Sequence, residues 1–193
     1  MSKFRMFING EWISADKTFQ SINPAIEESL GEFQFGNEKH VKAAIDAAEK
    51  ASIKWSEMPA PKRGSVLLRI AMLLKERKEE LARLETMEMG KVLPESRADV
   101  QEAIDIFEYM AGEGRRLFGH TTPSELPNKF CMTIRQPIGV VSVITPWNFP
   151  IAIPAWKISA ALVCGNAVVF KPSSETPLCA TRFVEVLNDA GIP

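Results

Sequence analysis

The chain has 193 residues, of which 46% are hydrophobic, and its 23 basic and 24 acidic side chains leave a formal net charge of −1 at pH 7. This composition argues against a disordered chain, and the near-zero charge gives no electrostatic footprint for nucleic acid or an anionic membrane surface. No apolar run reaches the roughly 18–20 residues that span a bilayer, and the opening MSKFRMFINGEW lacks the apolar core of a signal peptide. We therefore expect neither a nucleic-acid nor a membrane partner.

The three cysteines, Cys131, Cys164 and Cys179, lie far apart in the sequence. They are too few and too scattered for a disulfide framework or a zinc site, and a reducing cytoplasm is the simplest location for the protein. No activating base lies near any of them in sequence, so we expect none to be a catalytic nucleophile. Cys164, in the segment LVCGN, is expected to be a small buried residue.

The first 120 residues hold 38 of the 47 charged side chains, a bias that is typical of solvated helices. Asn9-Gly10 lies between two apolar pairs and predicts a tight hairpin, because both turn residues must tolerate a positive φ. After the turn-like Asn23-Pro24, an apolar stripe predicts a helix of about 20 residues. The stripe consists of Val41, Ala44, Ile45, Ala48, Ser52 and Trp55.

Two further helices are predicted before residue 120. One begins near Pro61, a favourable first-turn residue, and is expected to continue to a stop at Gly90. The next begins near Pro94 and runs towards Gly119. The segment from Thr121 to Pro137 is broken by prolines and contains a single strand-like run at 130–135.

The pattern changes in residues 138–193. Continuous apolar runs at 138–144 and 166–170 predict two strands, and helices are predicted at 150–164 and 176–190. Strand and helix in alternation, with uniformly apolar strands, predict a parallel sheet covered on both faces.

Each of these two strands is followed by an unusual loop, TPWNFP at 145–150 and KPSSETP at 171–177. Loops at the carboxyl ends of parallel strands share one edge of the sheet, where ligands bind, so we expect Asn148 and Lys171 on the same rim. An amide donor beside a cation suits a ligand with developing negative charge and several hydroxyls. The pattern alone leaves a structural interpretation equally open, in which the prolines stop the strands and the polar residues face water.

The segments RQPIGVVSVITPWNFP (135–150) and ALVCGNAVVFKPSSETP (161–177) resemble the aldehyde dehydrogenase superfamily. The resemblance continues through INGEW (8–12), Asn23-Pro24-Ala25 and Met89-Gly90-Lys91. It implies an NAD(P)-dependent enzyme that oxidises a small aldehyde to a carboxylic acid through a cysteine thiohemiacetal and thioester. A homodimer or homotetramer is implied for the intact enzyme.

The fold that this resemblance implies is α/β, with amino-terminal helices, the first half of a doubly wound, Rossmann-like parallel sheet and a short oligomerisation hairpin segment. Residues 1–120 would form the amino-terminal helical part of the cofactor-binding domain. Residues 121–137 would be the oligomerisation hairpin segment, and 138–193 the first βαβα half of the dinucleotide-binding domain.

Roles of individual residues also follow from the resemblance. Asn148 would donate its side-chain amide to the oxyanion of the thiohemiacetal, and Lys171 would bind the adenosine ribose hydroxyls of NAD or NADP. The backbone that would line the adenosine end is that of Ile144, Thr145 and Trp147. The side chains that would line the substrate tunnel are those of Phe149, Ile153 and Trp156. For Ile153 and Trp156, simple helix packing stays an alternative.

One position departs from the family pattern. Ser174 stands where many NAD-preferring relatives carry a glutamate, and Glu175 follows one residue later. A neutral hydroxyl does not repel a 2′-phosphate as a carboxylate would, so both NAD and NADP are open as cofactors.

The nucleophilic cysteine, the glutamate that assists thioester hydrolysis and the pyrophosphate-binding glycine loop of the family are expected to lie beyond Pro193. Residues 1–193 alone are therefore expected to be inactive. The alternative is a stand-alone binding or interaction module without catalysis. The aldehyde itself is not specified by the sequence, although general similarity favours a semialdehyde that bears a carboxylate.

Overall fold

The computed structural model describes residues 2–193. Within this range the strands are β1 (Met6–Ile8), β2 (Glu11–Ile13), β3 (Thr18–Ile22), β4 (Ser29–Gln34), β5 (Thr121–Thr122), β6 (Cys131–Met132), β7 (Val140–Ile144) and β8 (Ala167–Lys171). The helices are α1 (Glu38–Glu57), α2 (Ala60–Glu76), α3 (Lys78–Met89), α4 (Leu93–Glu113), α5 (Ala152–Val163) and α6 (Pro177–Asp189). None of these helices has the length and apolar character needed to cross a membrane.

Two antiparallel hairpins precede the helices. The predicted turn at Asn9-Gly10 is confirmed, because both residues have positive φ values, 55° and 77°, and Ile8 pairs with Glu11 across β1 and β2. The second hairpin, β3–β4, was not predicted. The turn at Asn23-Pro24 connects two strands rather than leading directly into a helix, so the first 120 residues are less purely helical than expected.

Helix α1 has the predicted length of 20 residues and begins at a capping box. The Asn37 side chain accepts hydrogen bonds from the N–H groups of Lys39 and His40, and the His40 ring accepts one from the Asn37 N–H. The predicted buried stripe was only partly right. Ala48 and Trp55 are buried, whereas Val41 and Ile45, nearer the start of the helix, are exposed.

The single helix predicted from Pro61 to Gly90 is two helices. The chain breaks at Arg77, whose φ and ψ are −98° and 9°, and the Arg77 guanidinium forms an ion pair with Asp189 at the end of α6. Helix α3 does end at Gly90, in the left-handed conformation (φ 85°) that glycine adopts without strain. Helix α4 begins beside Pro94 as predicted but ends at Glu113, before Gly119.

The βαβα arrangement of the last quarter of the chain is confirmed. Strands β7 and β8 are parallel, in register from Val140 opposite Ala167 to Ile144 opposite Lys171, and α5 connects them. The sequence also predicted a sheet covered on both faces, and the described residues cover it only in part. Helices α1 and α5 contact both strands, yet Val143 is the only buried residue of β7 and Ala167 the only one of β8.

One continuous apolar core joins the helices. The Phe107 ring of α4 and the Phe183 ring of α6 lie 6.2 Å apart between centroids, surrounded by fully buried residues of α2 and α5. Outside this core, β5 and β6 form a short antiparallel hairpin. Only Cys131 and Met132 of the predicted strand-like run at 130–135 belong to it.

Candidate active site

The two polar loops leave the same edge of the sheet, as predicted. Ile144 and Lys171 are register partners at the last positions of their strands, and the Thr145 N–H donates a 3.3 Å hydrogen bond to the Lys171 carbonyl. Trp147 of the first loop and Ser174 of the second line one open cleft of about 670 Å³. The carboxyl edge of this sheet therefore presents a shared surface to a ligand.

The predicted cofactor residues differ in how exposed they are to solvent. The Ile144 side chain is 68% exposed and the Trp147 side chain is half exposed, whereas Thr145 is buried and contributes backbone. Lys171 is exposed, and its ammonium has no ion-pair or hydrogen-bond partner within residues 2–193. Ser174 is also exposed. The geometry leaves these groups available to a ligand, and their individual roles stay predictions.

The loop that follows β7 presents Asn148 with its backbone anchored and its side chain free. The Asn148 carbonyl oxygen accepts a 2.8 Å hydrogen bond from the Lys91 ammonium, which also lies 4.1 Å from the centre of the Phe149 ring. The Asn148 side-chain amide makes no hydrogen bond to any other described residue. A free amide donor on an anchored backbone fits the oxyanion role predicted for it.

Lys91 belongs to a buried charged cluster. Its ammonium is 3.0 Å from Glu85 Oε1, and the two side chains are only 7% and 0% exposed. This contact is an ion pair rather than an aligned hydrogen bond, because neither Glu85 oxygen has a donor with hydrogen-bond geometry. Asp99, also fully buried, accepts a 2.8 Å hydrogen bond from the Ala152 N–H at the start of α5.

One ammonium neutralises only one of the two buried carboxylates. Burial raises the pKa of Glu85 to about 9, and the neighbouring Asp99 carboxylate adds to the increase, opposed by Lys91. Burial also raises the pKa of Asp99. We infer that at neutral pH one of the two carboxyl groups carries a proton, so the cluster with Lys91 is electrically neutral.

The predicted substrate-pocket residues occupy two places. Phe149 packs beneath Lys91, next to Asn148. Trp156 is 39% exposed and lines a shallow cleft with Ile106 and Tyr109 of α4, while Ile153 is half-buried. Trp156 is therefore not a simple core residue, and the tunnel role of all three stays a prediction.

The structure corrects the expectation for Cys164, which is half-buried. The fully buried cysteine is Cys179, and burial raises the pKa of its thiol well above the ordinary value, which opposes formation of a thiolate. Cys131 is half-buried in β6. Within residues 2–193, no three His, Cys, Asp or Glu side chains are grouped to hold a metal ion.

The sequence reasoning missed the buried charges Glu85, Glu88 and Asp99. Each lies on a helix in a charged stretch, and such residues are interpreted as solvated unless their partners are known. The one available signal was the Met89-Gly90-Lys91 segment, which follows directly on Glu88 and was noted only as a resemblance.

A βαβα unit with polar loops at the carboxyl edge of its sheet is the arrangement of doubly wound α/β enzymes. A family model, the aldehyde dehydrogenase family, matches residues 12–193, and the chain belongs to this family. The resemblance and the fold class predicted from the sequence are thereby confirmed.

Individual relatives agree with this assignment. The chain is 42% identical over 190 residues to the α-ketoglutarate semialdehyde dehydrogenase of Haloferax volcanii, covering 97% of this chain and 39% of that protein. An E. coli NADP dependent enzyme has 39% identity and a TM-score of 0.95, covering 98% of this chain and 40% of that one. A betaine aldehyde dehydrogenase point mutant from Staphylococcus aureus, in complex with NAD+, has 38% identity and a TM-score of 0.95, covering 98% and 39%. The chain thus spans about two fifths of the length of these relatives.

Proposed function

We propose that the protein carrying this sequence oxidises an aldehyde to a carboxylic acid with NAD or NADP. The observation that carries this proposal is the unbonded side-chain amide of Asn148, on an anchored loop at the carboxyl edge of the sheet, in a chain of this family. Such a donor stabilises charge that develops in a transition state, because it needs no reorganisation when the charge appears.

In this mechanism Asn148 donates to the oxygen of the aldehyde as a cysteine thiolate attacks its carbon. Loss of a hydride from the thiohemiacetal carbon and of the proton from its oxygen gives a thioester, which water hydrolyses to the acid with release of the cysteine. We place the attacking cysteine outside residues 1–193, because Cys179 is held as a buried thiol and the side chains of Cys131 and Cys164 share no hydrogen bond with a basic side chain within residues 2–193. We place the carboxylate that assists hydrolysis with that cysteine. Residues 1–193 then supply the oxyanion donor and part of the cofactor surface.

The groups along the sheet edge fit a dinucleotide. Lys171 offers an unpaired ammonium to the ribose hydroxyls, and Ser174 lies in the loop that follows it. The backbone of Ile144, Thr145 and Trp147 belongs to the end of the neighbouring strand and to the loop after it. A bound nicotinamide would supply the acceptor for the hydride that the thiohemiacetal carbon loses. Relatives that use NADP and NAD+ support both cofactors as candidates for this chain.

The substrate, assembly and location are further parts of the proposal. The semialdehyde relative supports an aldehyde that bears a carboxylate, and the betaine aldehyde relative makes a cationic aldehyde the main competitor. Exposed Phe130, Met132 and Ile134, in and beside the β5–β6 hairpin, support a role of residues 121–137 in forming a homodimer or homotetramer. We propose a cytoplasmic location because the cysteines are free thiols.

The test is formation of reduced cofactor by the complete protein with a panel of aliphatic, aromatic, cationic and carboxylate-bearing aldehydes, each with NAD and with NADP. We expect turnover with at least one pair, and the highest kcat/KM with a carboxylate-bearing semialdehyde. Binding of NAD or NADP without oxidation of any aldehyde would favour a binding module and contradict the enzymatic proposal.

A further inference from the structure

Two hydrogen bonds connect the loop that carries Asn148 to the cluster formed by Glu85, Lys91 and Asp99. Lys91 donates to the Asn148 carbonyl (2.8 Å), and Asp99 accepts from the Ala152 N–H (2.8 Å). The two points are four residues apart, so the cluster spans the turn that leads from the loop into α5.

No local interaction replaces these two anchors. The residue before α5, Ile151, provides no side-chain cap for the first turn of the helix, so the Asp99 carboxylate takes that place from α4. The Asn148 carbonyl likewise has no other donor among the described residues. The conformation of the loop therefore depends on Lys91, which comes just after α3, and on Asp99 of α4.

The anchoring side chains are charged and buried, and their desolvation costs free energy. A buried ion pair gains little net stability over apolar residues of similar volume, because desolvation offsets most of the attraction. Lys91 is nonetheless held on one side by Glu85 and packed against the Phe149 ring on the other. The Lys91 ammonium thus has three contacts, with Glu85, the Phe149 ring and the Asn148 carbonyl, and these hold it at one point. Such an arrangement adds little net stability, but it can orient the backbone at Asn148.

We propose that Lys91, held by Glu85 and supported by Asp99, is the positioning residue that aims the Asn148 side-chain amide at the oxyanion. This proposal rests on the proposed aldehyde oxidation, in which Asn148 is the donor. Fixing the Asn148 carbonyl fixes the plane of the 148–149 peptide and, with it, the position of the Cα–Cβ bond from which the side-chain amide extends. A misplacement of about 1 Å in such a group lowers a catalysed rate by up to ~10²-fold.

The experiment uses the complete protein and compares Lys91→Met with the matched control Lys78→Met. Lys78 also connects the α3 helix to a neighbour, through a 2.6 Å hydrogen bond to Gln101, but contacts neither loop. Single-turnover formation of reduced cofactor and the cofactor Kd are measured for both variants. We expect Lys91→Met to lower the single-turnover rate by ~10–10²-fold with an unchanged cofactor Kd, and Lys78→Met to leave both unchanged.

A double-mutant cycle separates positioning from general stability. If Lys91 acts through Asn148, Lys91→Met made in an Asn148→Ala background lowers the rate by less than about 3-fold. An equal loss with and without Asn148, or a rate for Lys91→Met that matches Lys78→Met, overturns the proposal. Lys91→Arg, which keeps a cationic donor, is expected to recover part of the lost rate.

Hydrogen exchange tests the anchoring independently of turnover. We expect faster exchange of the amides of residues 148, 149 and 151–153 in Lys91→Met and unchanged exchange there in Lys78→Met, because only the first variant releases the loop. Unchanged exchange in Lys91→Met overturns the proposal even if activity falls. If the wild-type protein oxidises no aldehyde, the proposed function fails, and the exchange result alone decides whether Lys91 anchors the loop.

Discussion

The Glu88 carboxylate caps a helix that begins 89 residues later in the chain. Its Oε2 accepts a 2.7 Å hydrogen bond from the Cys179 N–H, and its Oε1 accepts bonds from the Leu178 N–H (2.8 Å) and the Ser21 hydroxyl (2.7 Å). Thr176, at the N-cap position of α6, makes no side-chain cap bond. The free N–H groups at the start of α6, and with them the loop that carries Ser174, are therefore fixed by a residue of α3.

We expect Glu88→Ala to destabilise the protein by about 3 kcal/mol or more, because it leaves two buried amides and a buried hydroxyl without an acceptor, at roughly 1–3 kcal/mol for each unsatisfied group. The midpoint of thermal or urea unfolding measures the loss. Glu80→Ala, an exposed glutamate on the same helix, is the matched control and is expected to change the midpoint little. Equal effects of the two substitutions would show that Glu88 is not a cap of α6.

In the complete enzyme, Asn148→Ala is expected to lower the single-turnover rate of cofactor reduction by ~10²–10³-fold, the usual effect of removing one oxyanion donor. The cofactor Kd should change little, because the substituted amide is not one of the proposed cofactor contacts. Asn188→Ala, which removes an exposed asparagine near the end of α6, is the control. An unchanged rate for Asn148→Ala would mean that Asn148 serves only the loop structure.

Where local chemistry decides the structure, the sequence was sufficient to predict it. The Asn9-Gly10 turn, the left-handed stop at Gly90 and the βαβα unit all have strong local signals. The β3–β4 hairpin was not predicted because its alternation of buried and exposed residues is weak in the sequence: the inward-facing residues include the polar Ser21 as well as Phe19. The register shift between Ser21 and Ile22 interrupts this alternation further.

Where distant residues decide the structure, the sequence was not sufficient. The run KERKEE at 75–80 contains only good helix formers, yet the helix breaks at Arg77, whose side chain pairs with Asp189 of α6. The functional loops were located because both follow apolar strands. Their supports, Glu88 and Lys91, were not located, because the groups that they hold, the Cys179 amide and the Asn148 carbonyl, lie 91 and 57 residues further along the chain.

The stability of the protein is expected to fall as pH rises from about 5 to about 9, and Glu85→Gln is expected to reduce this slope. Glu85 has an ordinary pKa of 4.5 and, in the folded protein beside Asp99, a pKa of about 9. Between these values the folded state binds the additional proton, so raising the pH favours unfolding by at most ~1.4 kcal/mol per pH unit. Urea midpoints across this range measure the slope.

The control for this pH dependence is Glu79→Gln. A hydrogen bond from Arg97 lowers the pKa of Glu79 to about 2, so its folded and ordinary values both lie below the range measured. Glu79→Gln should therefore leave the slope between pH 5 and 9 as in the wild type. If Glu85→Gln also leaves it unchanged, Glu85 does not hold the additional proton.

A polypeptide of residues 1–193 alone is expected to oxidise no aldehyde. Cys179 is buried with a raised pKa, and the side chains of Cys131 and Cys164 share no hydrogen bond with a basic side chain within residues 2–193, so no general base is placed to activate a nucleophile. Formation of reduced cofactor with the same aldehyde panel, measured beside the complete protein, is the test. Turnover that persists after a second purification, and is lost on replacing one of these cysteines, would contradict the assignment of the nucleophile to another part of the enzyme.

The complete enzyme is expected to accept NADP as well as NAD, because the exposed residue three positions after Lys171 is the neutral Ser174. Ser174→Glu is expected to lower kcat/KM for NADP by about tenfold and to affect NAD less, since ~1.4 kcal/mol of repulsion from the 2′-phosphate corresponds to that factor. Glu175 is the competing residue, because it is exposed, has no ion-pair partner within residues 2–193 and lines the same cleft. Comparing both cofactors in the wild type, Ser174→Glu and Glu175→Gln separates the two. Strong exclusion of NADP by the wild type, relieved in Glu175→Gln, would show that Glu175 and not position 174 sets the preference.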